Sequence, residues 1–446
     1  MPLSPADHAV HAALFADPAT QALFAEAAEL QAMQQVEAAL AQAQADLGLI
    51  PAEAAAAIAR AARTVTLDPG ALAAESARNG VPVPGFVSAF RAAMDDPQAA
   101  AFVHWGATSQ DIMDTALVLR LRILLDDWGA RLDALLIDLA RLAADGAEIP
   151  MAARTYGQIA TPTSFGAVVA GWGRPVARQR ARLAALRDEV LVVQLGGAAG
   201  TLSAMDGQGP AVRAGMARRL GLGDPGQVWH AERDRIALFG AWAAQLAVAL
   251  GKMGEDLILM TQTGLAEVIL PETGGSSTMP QKRNPVAPSV LVALARQAVG
   301  LQGVLQGAGL HRQARDGAAW FTEWLALPGL CGAAGRALGL AQGLAAGMAP
   351  DPEAMARGLA ADNGLILAEG LSFALARHLP RPQAQAQVKA LCDRARRAGR
   401  ALPDLAAEAF PDLDLTGAVA RAALGTAPDE ARAFAAAVRA GAGTGG

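Results

Sequence analysis

Residues 274–285 read Gly274-Gly275-Ser276-Ser277-Thr278-Met279-Pro280-Gln281-Lys282-Arg283-Asn284-Pro285. Two glycines free the backbone, so the first half of the segment is expected to be mobile. Two hydroxyls follow at once, and a lysine and an amide then sit between two prolines. Proline fixes φ and restricts the residue before it, which predicts a stiff turn in the second half. A flexible half with hydroxyls, joined to a rigid half with a cation and an amide, suits a loop that closes over an anion. A Gly/Ser linker running into a basic surface turn is the plainer reading of the same letters.

Around this segment lies a chain of 446 residues that is 53% hydrophobic but only 4% aromatic, with a single tyrosine. Much of the apolar content is alanine, the best helix former, which favours long, closely packed helices over sheets. Residues 111–144 carry Ile112, Leu117, Leu119, Leu124, Leu135, Ile137 and Leu142 near helical spacing. Residues 163–193, 233–263, 286–307 and 318–348 read the same way, with Pro175 predicting a kink or a break in the first of these. A helix of thirty residues spans about 45 Å. That length, with Ala and Leu on several faces, suggests a bundle that packs against copies of itself.

The expected architecture is all-α with three helical domains: 1–110, a central long-helix bundle over 111–349 that holds the loop, and a small C-terminal domain over 350–446. In the first, a helix is expected from Pro18 to about Leu47, stopped by Gly48 and Pro51, and residues 78–84 read as loop. Beyond Pro350 the helices shorten, and the tail 441–446 is expected to be disordered.

A net charge of −5 and a pI near 5.8 argue against a nucleic-acid surface. Cys331 and Cys392 form no metal or disulfide pattern and read as apolar fillers. With no basic-then-apolar leader, and polar residues interrupting each long apolar stretch, a soluble cytoplasmic protein is expected, outside any membrane.

Residues 274–285 resemble the GSSxMPxKxNP signature of the fumarase/aspartase superfamily. That resemblance implies a helical homotetramer with active sites shared between chains, which makes or breaks a C–O or C–N bond beside a carboxylate. It implies roles for Ser276 or Ser277 in moving the proton, with Lys282 tuning them and Asn284 holding substrate. Further segments extend the likeness. His104-Trp105-Gly106-Ala107-Thr108-Ser109-Gln110-Asp111 precedes a long helix, and its hydroxyls read first as N-caps. A helix N-terminus is also a ready anion site, and the resemblance carries carboxylate binding to Thr108 and Ser109 and an active-site place to His104.

Residues 153–163 resemble the family's RTHxQxAxPxT stretch, which makes Arg154 and Gln158 candidate substrate ligands. Tyr156 stands where the lyases carry a histidine implicated in acid catalysis. An amine leaving group needs a proton donor, and a phenol is a weaker acid than an imidazolium. A carboxylate that closes a lactone needs no such help. Tyr156 therefore favours cyclisation, its plainer reading being wall packing with a polar tip. Trp229-His230-Ala231-Glu232-Arg233-Asp234-Arg235 and 311–324 resemble segments of the carboxymuconate cycloisomerase branch. His230 and Arg315 join the substrate-binding candidates, although an Arg-Asp-Arg triplet is ordinarily an ion-paired face. Arg312 is a further possible carboxylate ligand. Asp362-Asn363 departs from the branch, where Thr-Gln is common.

The branch implies conversion of 3-carboxy-cis,cis-muconate to its carboxymuconolactone, a step of protocatechuate breakdown, through an aci-carboxylate intermediate. No cofactor is expected, and no metal, because the histidines and acids lack ligand spacing. The alternatives are adenylosuccinate lyase, or another superfamily lyase releasing fumarate or a related polycarboxylate. Against the first stand Tyr156 and the lack of a basic cluster for a nucleotide phosphate. A non-catalytic helical oligomer is the rival from another class, since fold alone does not prove function.

Overall fold

The computed structural model describes residues 4–415, 417, 419 and 423–442. The protein is all-α. Its principal helices are α1 (Glu26–Asp46), α2 (Val83–Ala92), α3 (Ser109–Asp145), α4 (Phe165–Val190), α5 (Gly209–Leu220), α6 (Asp234–Met260), α7 (Val286–Gly307), α8 (Gly317–Gly347) and α9 (Ala427–Ala442). Five of them follow the expected apolar stretches closely, and α7 begins and ends where its stretch does. Pro175 does not break α4, which continues through it, and Pro328 is carried inside α8 in the same way.

The N-terminal expectations need two corrections. The run from Pro18 breaks at Ala25, whose extended backbone (φ −67°, ψ 147°) separates helix Pro18–Phe24 from α1. No glycine or proline marks that break. At the other end Gly48 adopts φ +72°, and the Gly48 and Leu49 amides bond back to the Ala45 and Gln44 carbonyls, the left-handed stop that glycine permits. The expected loop at 78–84 is also shorter than its prolines suggest. Helix Pro69–Asn79 ends on Gly80, and α2 starts at Val83. Pro82 and Pro84 sit at the entrance of α2, where a missing N–H leaves no helical bond unmade.

Two short antiparallel ribbons were not foreseen. The strands β1 (Pro150–Thr155) and β2 (Gln158–Ser164) form a hairpin whose two turn residues, Tyr156 and Gly157, have φ +52° and +73°. Positive φ at both central positions is the turn that matches strand twist. The strands β3 (Val268–Ile269) and β4 (Ala349–Pro350) pair as a second ribbon.

By packing, the chain falls into two compact units. The first comprises Met1–Ala130, Gln179–Val248 and Ala293–Leu338; the second comprises Arg131–Arg178, Ala249–Val292 and Gly339–Gly446. These boundaries follow contacts, whereas the three segments expected above follow chain order. In the first unit a core built on Met33, Val36, Leu40, Ile58, Phe86, Phe90 and Ile112 excludes water, and Trp128 stacks beside Phe239 and Trp242. Cys331 is fully buried there, and burial pushes its thiol well above the usual range. In the second unit the C-terminal helices enclose Leu371, Leu375, Val388, Leu402 and Leu405, with Cys392 packed partly buried against them. Gly441 and Ala442 are still helical, while 443–446, the rest of the expected disordered tail, lie outside the described residues.

By length and composition α6, α7 and α8 are apolar enough to cross a membrane, yet within one chain only 67%, 44% and 56% of their most apolar windows are buried. The rest of these windows is not buried by the described residues.

The start of α4 lies against the end of α3 at two glycines. A Cβ on Gly166 would meet the Ala143 carbonyl oxygen at 2.3 Å and the Ala147 amide nitrogen at 2.7 Å. Backbone atoms cannot step aside, so Gly166→Ala is expected to lower unfolding stability by about 1–3 kcal/mol. A urea midpoint equal to that of the unaltered protein would show that this approach is looser than described.

Candidate active site

In the first unit the candidates gather around the N-terminus of α3. Thr108 directly precedes the helix, and the Asp111 side chain reaches back to accept from the Thr108 amide at 2.9 Å, the return half of a capping box. The same fully buried carboxylate accepts from the Gly196 amide at 2.8 Å, the Gly197 amide at 2.9 Å and His230 Nε2 at 2.7 Å. Gln110 donates to the His230 carbonyl at 2.9 Å. One turn along, the Thr115 hydroxyl donates to the Gln194 carbonyl and accepts from the Gln194 amide. The first turns of α3 thus hold two distant parts of the chain, segment 194–197 and His230. His230 is 3% exposed, and its Nε2 is already engaged.

Arg315 closes this end of the helix. Its guanidinium donates to the Thr108 hydroxyl and, at 2.9 Å, to the Ala198 carbonyl. Ser109 begins the helix beside it. A hydroxyl, an arginine and helix N-terminal amides are groups of the kind that hold a carboxylate, which makes this end of the helix a candidate cradle. Arg312 is spent on Asp316, with bonds of 2.5 and 3.1 Å. His104 sits just before this cradle at φ +64°, its Nδ1 2.7 Å from the buried carboxylate of Glu37. Burial pulls the imidazolium down, but the Glu37 hydrogen bond and charge, with the Asp111 charge, outweigh it and hold His104 above the ordinary histidine value.

Behind the cradle Arg233 is fully buried between two carboxylates. It donates to Asp114 at 2.7 and 3.0 Å and to Glu323 at 3.0 and 2.6 Å, and lies 4.8 Å over the Trp229 ring. Burial opposes its charge, but the two acids raise its pKa far above the ordinary value. Burial, helped by the Asp114 charge, raises that of Glu323 despite Arg233. Arg235 pairs with Glu189 nearer the surface. Of the triplet read as an ion-paired face, one arginine is therefore interior.

The second unit holds the remaining candidates. Arg154 forms a two-pronged pair with the fully buried Glu267 at 2.8 and 3.0 Å. Tyr156 projects fully exposed from the hairpin tip, so within one chain it is no packing residue, and Gln158 opens β2 beside it, also exposed. In the signature loop Gly274 and Asn284 exchange both backbone hydrogen bonds, at 2.9 and 2.8 Å, closing a ring around 275–283. Gly274 is required there, since a Cβ would meet Val286 at 2.6 Å. The Asn284 side chain donates to the Gly275 carbonyl at 3.2 Å. Ser276 Oγ accepts from the Met279 amide at 3.1 Å; Ser277 and Lys282 are exposed. The same unit has a cavity of about 1590 Å³ whose walls include Arg154, Gly157, Lys252 and Glu267 but not the loop's serines.

Sequence reasoning passed over Glu37, Gly196–Gly197 and Asp114, and met Arg233 and Glu323 only inside quoted motifs, without the buried pairing that joins them. Asp111 lay inside a quoted motif but was taken only as a cap.

The Lyase family model matches residues 15–300. The chain is 43% identical over 408 residues to the 3-carboxy-cis,cis-muconate cycloisomerase of Pseudomonas aeruginosa, covering 89% of this chain and 88% of that one. It is 41% identical over 379 residues to the nitrosuccinate lyase of Streptomyces davaonensis, covering 82% and 80%. The 3-carboxy-cis,cis-muconate lactonizing enzyme of Pseudomonas putida superposes with a TM-score of 0.90 at 37% identity, over 96% of this chain and 98% of that one.

Asp111→Asn replaces an acceptor of four hydrogen bonds by a group that is half donor. Breaking such a buried charged network is expected to lower stability by about 3–5 kcal/mol. Denaturant unfolding measures this, and a shift under about 1 kcal/mol, typical of a surface change, would show that the carboxylate does not organise the segment.

Proposed function

We propose that this chain, which belongs to the Lyase family of the fumarase/aspartase superfamily, is a 3-carboxy-cis,cis-muconate cycloisomerase that forms carboxymuconolactone without a cofactor. The observation that carries this reading is the 43% identity to a cycloisomerase across 89% of the chain.

One carboxylate of the substrate adds to a double bond within the same molecule, and the carbon beside another carboxylate takes a proton. The intermediate is an aci-carboxylate with extra negative charge on its oxygens, and preorganised donors aimed at that charge supply the largest catalytic effect. Lys282, Asn284 and Gln158 meet it, while Thr108, Ser109 and Arg315 hold a second carboxylate. His104 borders the same cradle. Arg154 and His230 have polar atoms engaged by Glu267 and Asp111, and orient what surrounds them. Ser276 or Ser277 moves the proton, made competent by loop closure and by Lys282, because an isolated hydroxyl is too weak an acid or base.

The exposed apolar surfaces of α6, α7 and α8 support assembly through helix packing against copies of the chain, as a homotetramer free of membrane in the cytoplasm. In that assembly each site draws on several chains, which gives the exposed Tyr156, Gln158 and signature loop a place to act.

The relative named for nitrosuccinate makes elimination from a substituted succinate the second reading. Purified protein is expected to bleach the conjugated diene of 3-carboxy-cis,cis-muconate, with lactone seen by NMR. An inert diene beside turnover of nitrosuccinate or adenylosuccinate would replace the first reading by the second. Alanine at the working serine, Ser276 or Ser277, is expected to lower turnover about 10²–10⁴-fold; near-normal rates in both single variants would remove the serines from the mechanism. Mixing a Ser276→Ala/Ser277→Ala variant with a His104→Ala variant is expected to restore activity, and no recovery despite proven subunit exchange would count against shared sites.

A further inference from the structure

The backbone at 103–105 is gripped by three side chains from the N-terminal helices. Arg91 of α2 donates to the Val103 carbonyl at 2.6 Å, and Gln44 of α1 donates to the Trp105 carbonyl at 2.7 Å. Between them Glu37 of α1 takes two hydrogens from His104, the amide at 2.9 Å through Oε2 and Nδ1 at 2.7 Å through Oε1. Glu37 is 1% exposed, whereas the His104 side chain retains 18%. An ionised carboxylate only accepts, so Nδ1 must be the protonated nitrogen. The left-handed backbone of His104, a conformation in which histidine is enriched among non-glycine residues, turns the ring inward onto Glu37.

We propose that Glu37 is a positioning residue of the site: it fixes His104 with Nδ1 protonated, so that Nε2, once it takes up a proton from solvent, donates a hydrogen bond as the imidazolium to a carboxylate of the bound polycarboxylate, while the proton added to carbon comes through the loop serine. This rests on the cycloisomerase reading only for the identity of the ligand. The charged groups that face His104 are Glu37 on α1, Asp111 on α3 and Arg91 on α2. The two acids favour the imidazolium, and Arg91, with burial, disfavours it. Removing the Glu37 charge leaves burial and Arg91 opposed by Asp111 alone, so the imidazolium should give up its proton at lower pH.

Glu37→Gln is the informative variant, because its amide oxygen still accepts from the His104 amide while the charge is lost. A purely structural Glu37 would shift the histidine's titration but leave the kcat profile where it was. The six histidines can be followed by NMR of the assembled, histidine-labelled protein, with His104 assigned from the signal lost in His104→Gln. In the unaltered protein His104 is expected to titrate above the ordinary histidine value, with Nδ1 protonated on both sides of the transition. In Glu37→Gln its midpoint is expected to fall by about 1 pH unit or more. The matching limb of the kcat profile should move by the same amount, with KM little changed.

An unmoved His104 midpoint in Glu37→Gln overturns the proposal. So does a midpoint that moves while the kcat profile stays in place, since the histidine would then titrate without serving the reaction. Should the unaltered protein leave the diene intact, the cycloisomerase reading fails by itself, and the NMR titration still decides whether Glu37 governs His104.

Discussion

Four hydrogen bonds to one buried carboxylate hold the first unit's site together. Asp111 collects a helix-capping amide, two amides of a glycine-rich segment and an imidazole from residues as far as 119 apart in sequence. A buried charge is tolerable only when its lone pairs are filled, so each donor is under pressure to stay. The arrangement of Thr108, Ser109, Ala198 and His230 follows from that requirement. Arg315 then spans the gap between Thr108 and Ala198. The same helix face carries Asp114 and Thr115, which extend the polar seam to Arg233 and Gln194. A helix whose first two turns are so heavily committed gives its neighbours little freedom to drift.

Much of the fold was legible because it rests on local signals. The long helices carry helical spacing over about thirty residues, and Gly48 performs the left-handed stop that glycine allows. The hairpin escaped notice because β1 and β2 have no clean alternation of apolar and polar residues, and its turn is Tyr-Gly instead of Asn-Gly. Ala25 bends the chain with no residue that announces a bend. Pro82 and Pro84 were over-read: proline that ends one helix can equally open the next.

The candidate site was legible as motifs where its residues are adjacent in sequence, and its packing was obscure where they are not. Thr108, Ser109 and His104 share one short motif, and Ser276, Ser277, Lys282 and Asn284 another. Glu37 stands 67 positions from His104 among alanines, glutamines and other glutamates, with nothing to distinguish it. Arg233 looked like one more surface arginine, because burial is a property of the fold and no letter of the triplet encodes it. Its partners Asp114 and Glu323 lie 119 and 90 residues away. Local patterns report caps, turns and anion loops; they do not report which distant acid a base will meet.

Tyr156 stands at the opposite extreme from Asp111. Its side chain is fully exposed among the described residues, so within one chain it adds almost nothing to folding stability. Its left-handed backbone is one that histidine, asparagine and aspartate also occupy more readily than most residues. The hairpin tip is thus a place where chemistry can be exchanged one codon at a time without renegotiating the fold. The Asp111 seam, by contrast, permits almost no trial and error. A scaffold built this way keeps its buried seam constant while the residue at the hairpin tip is free to diverge.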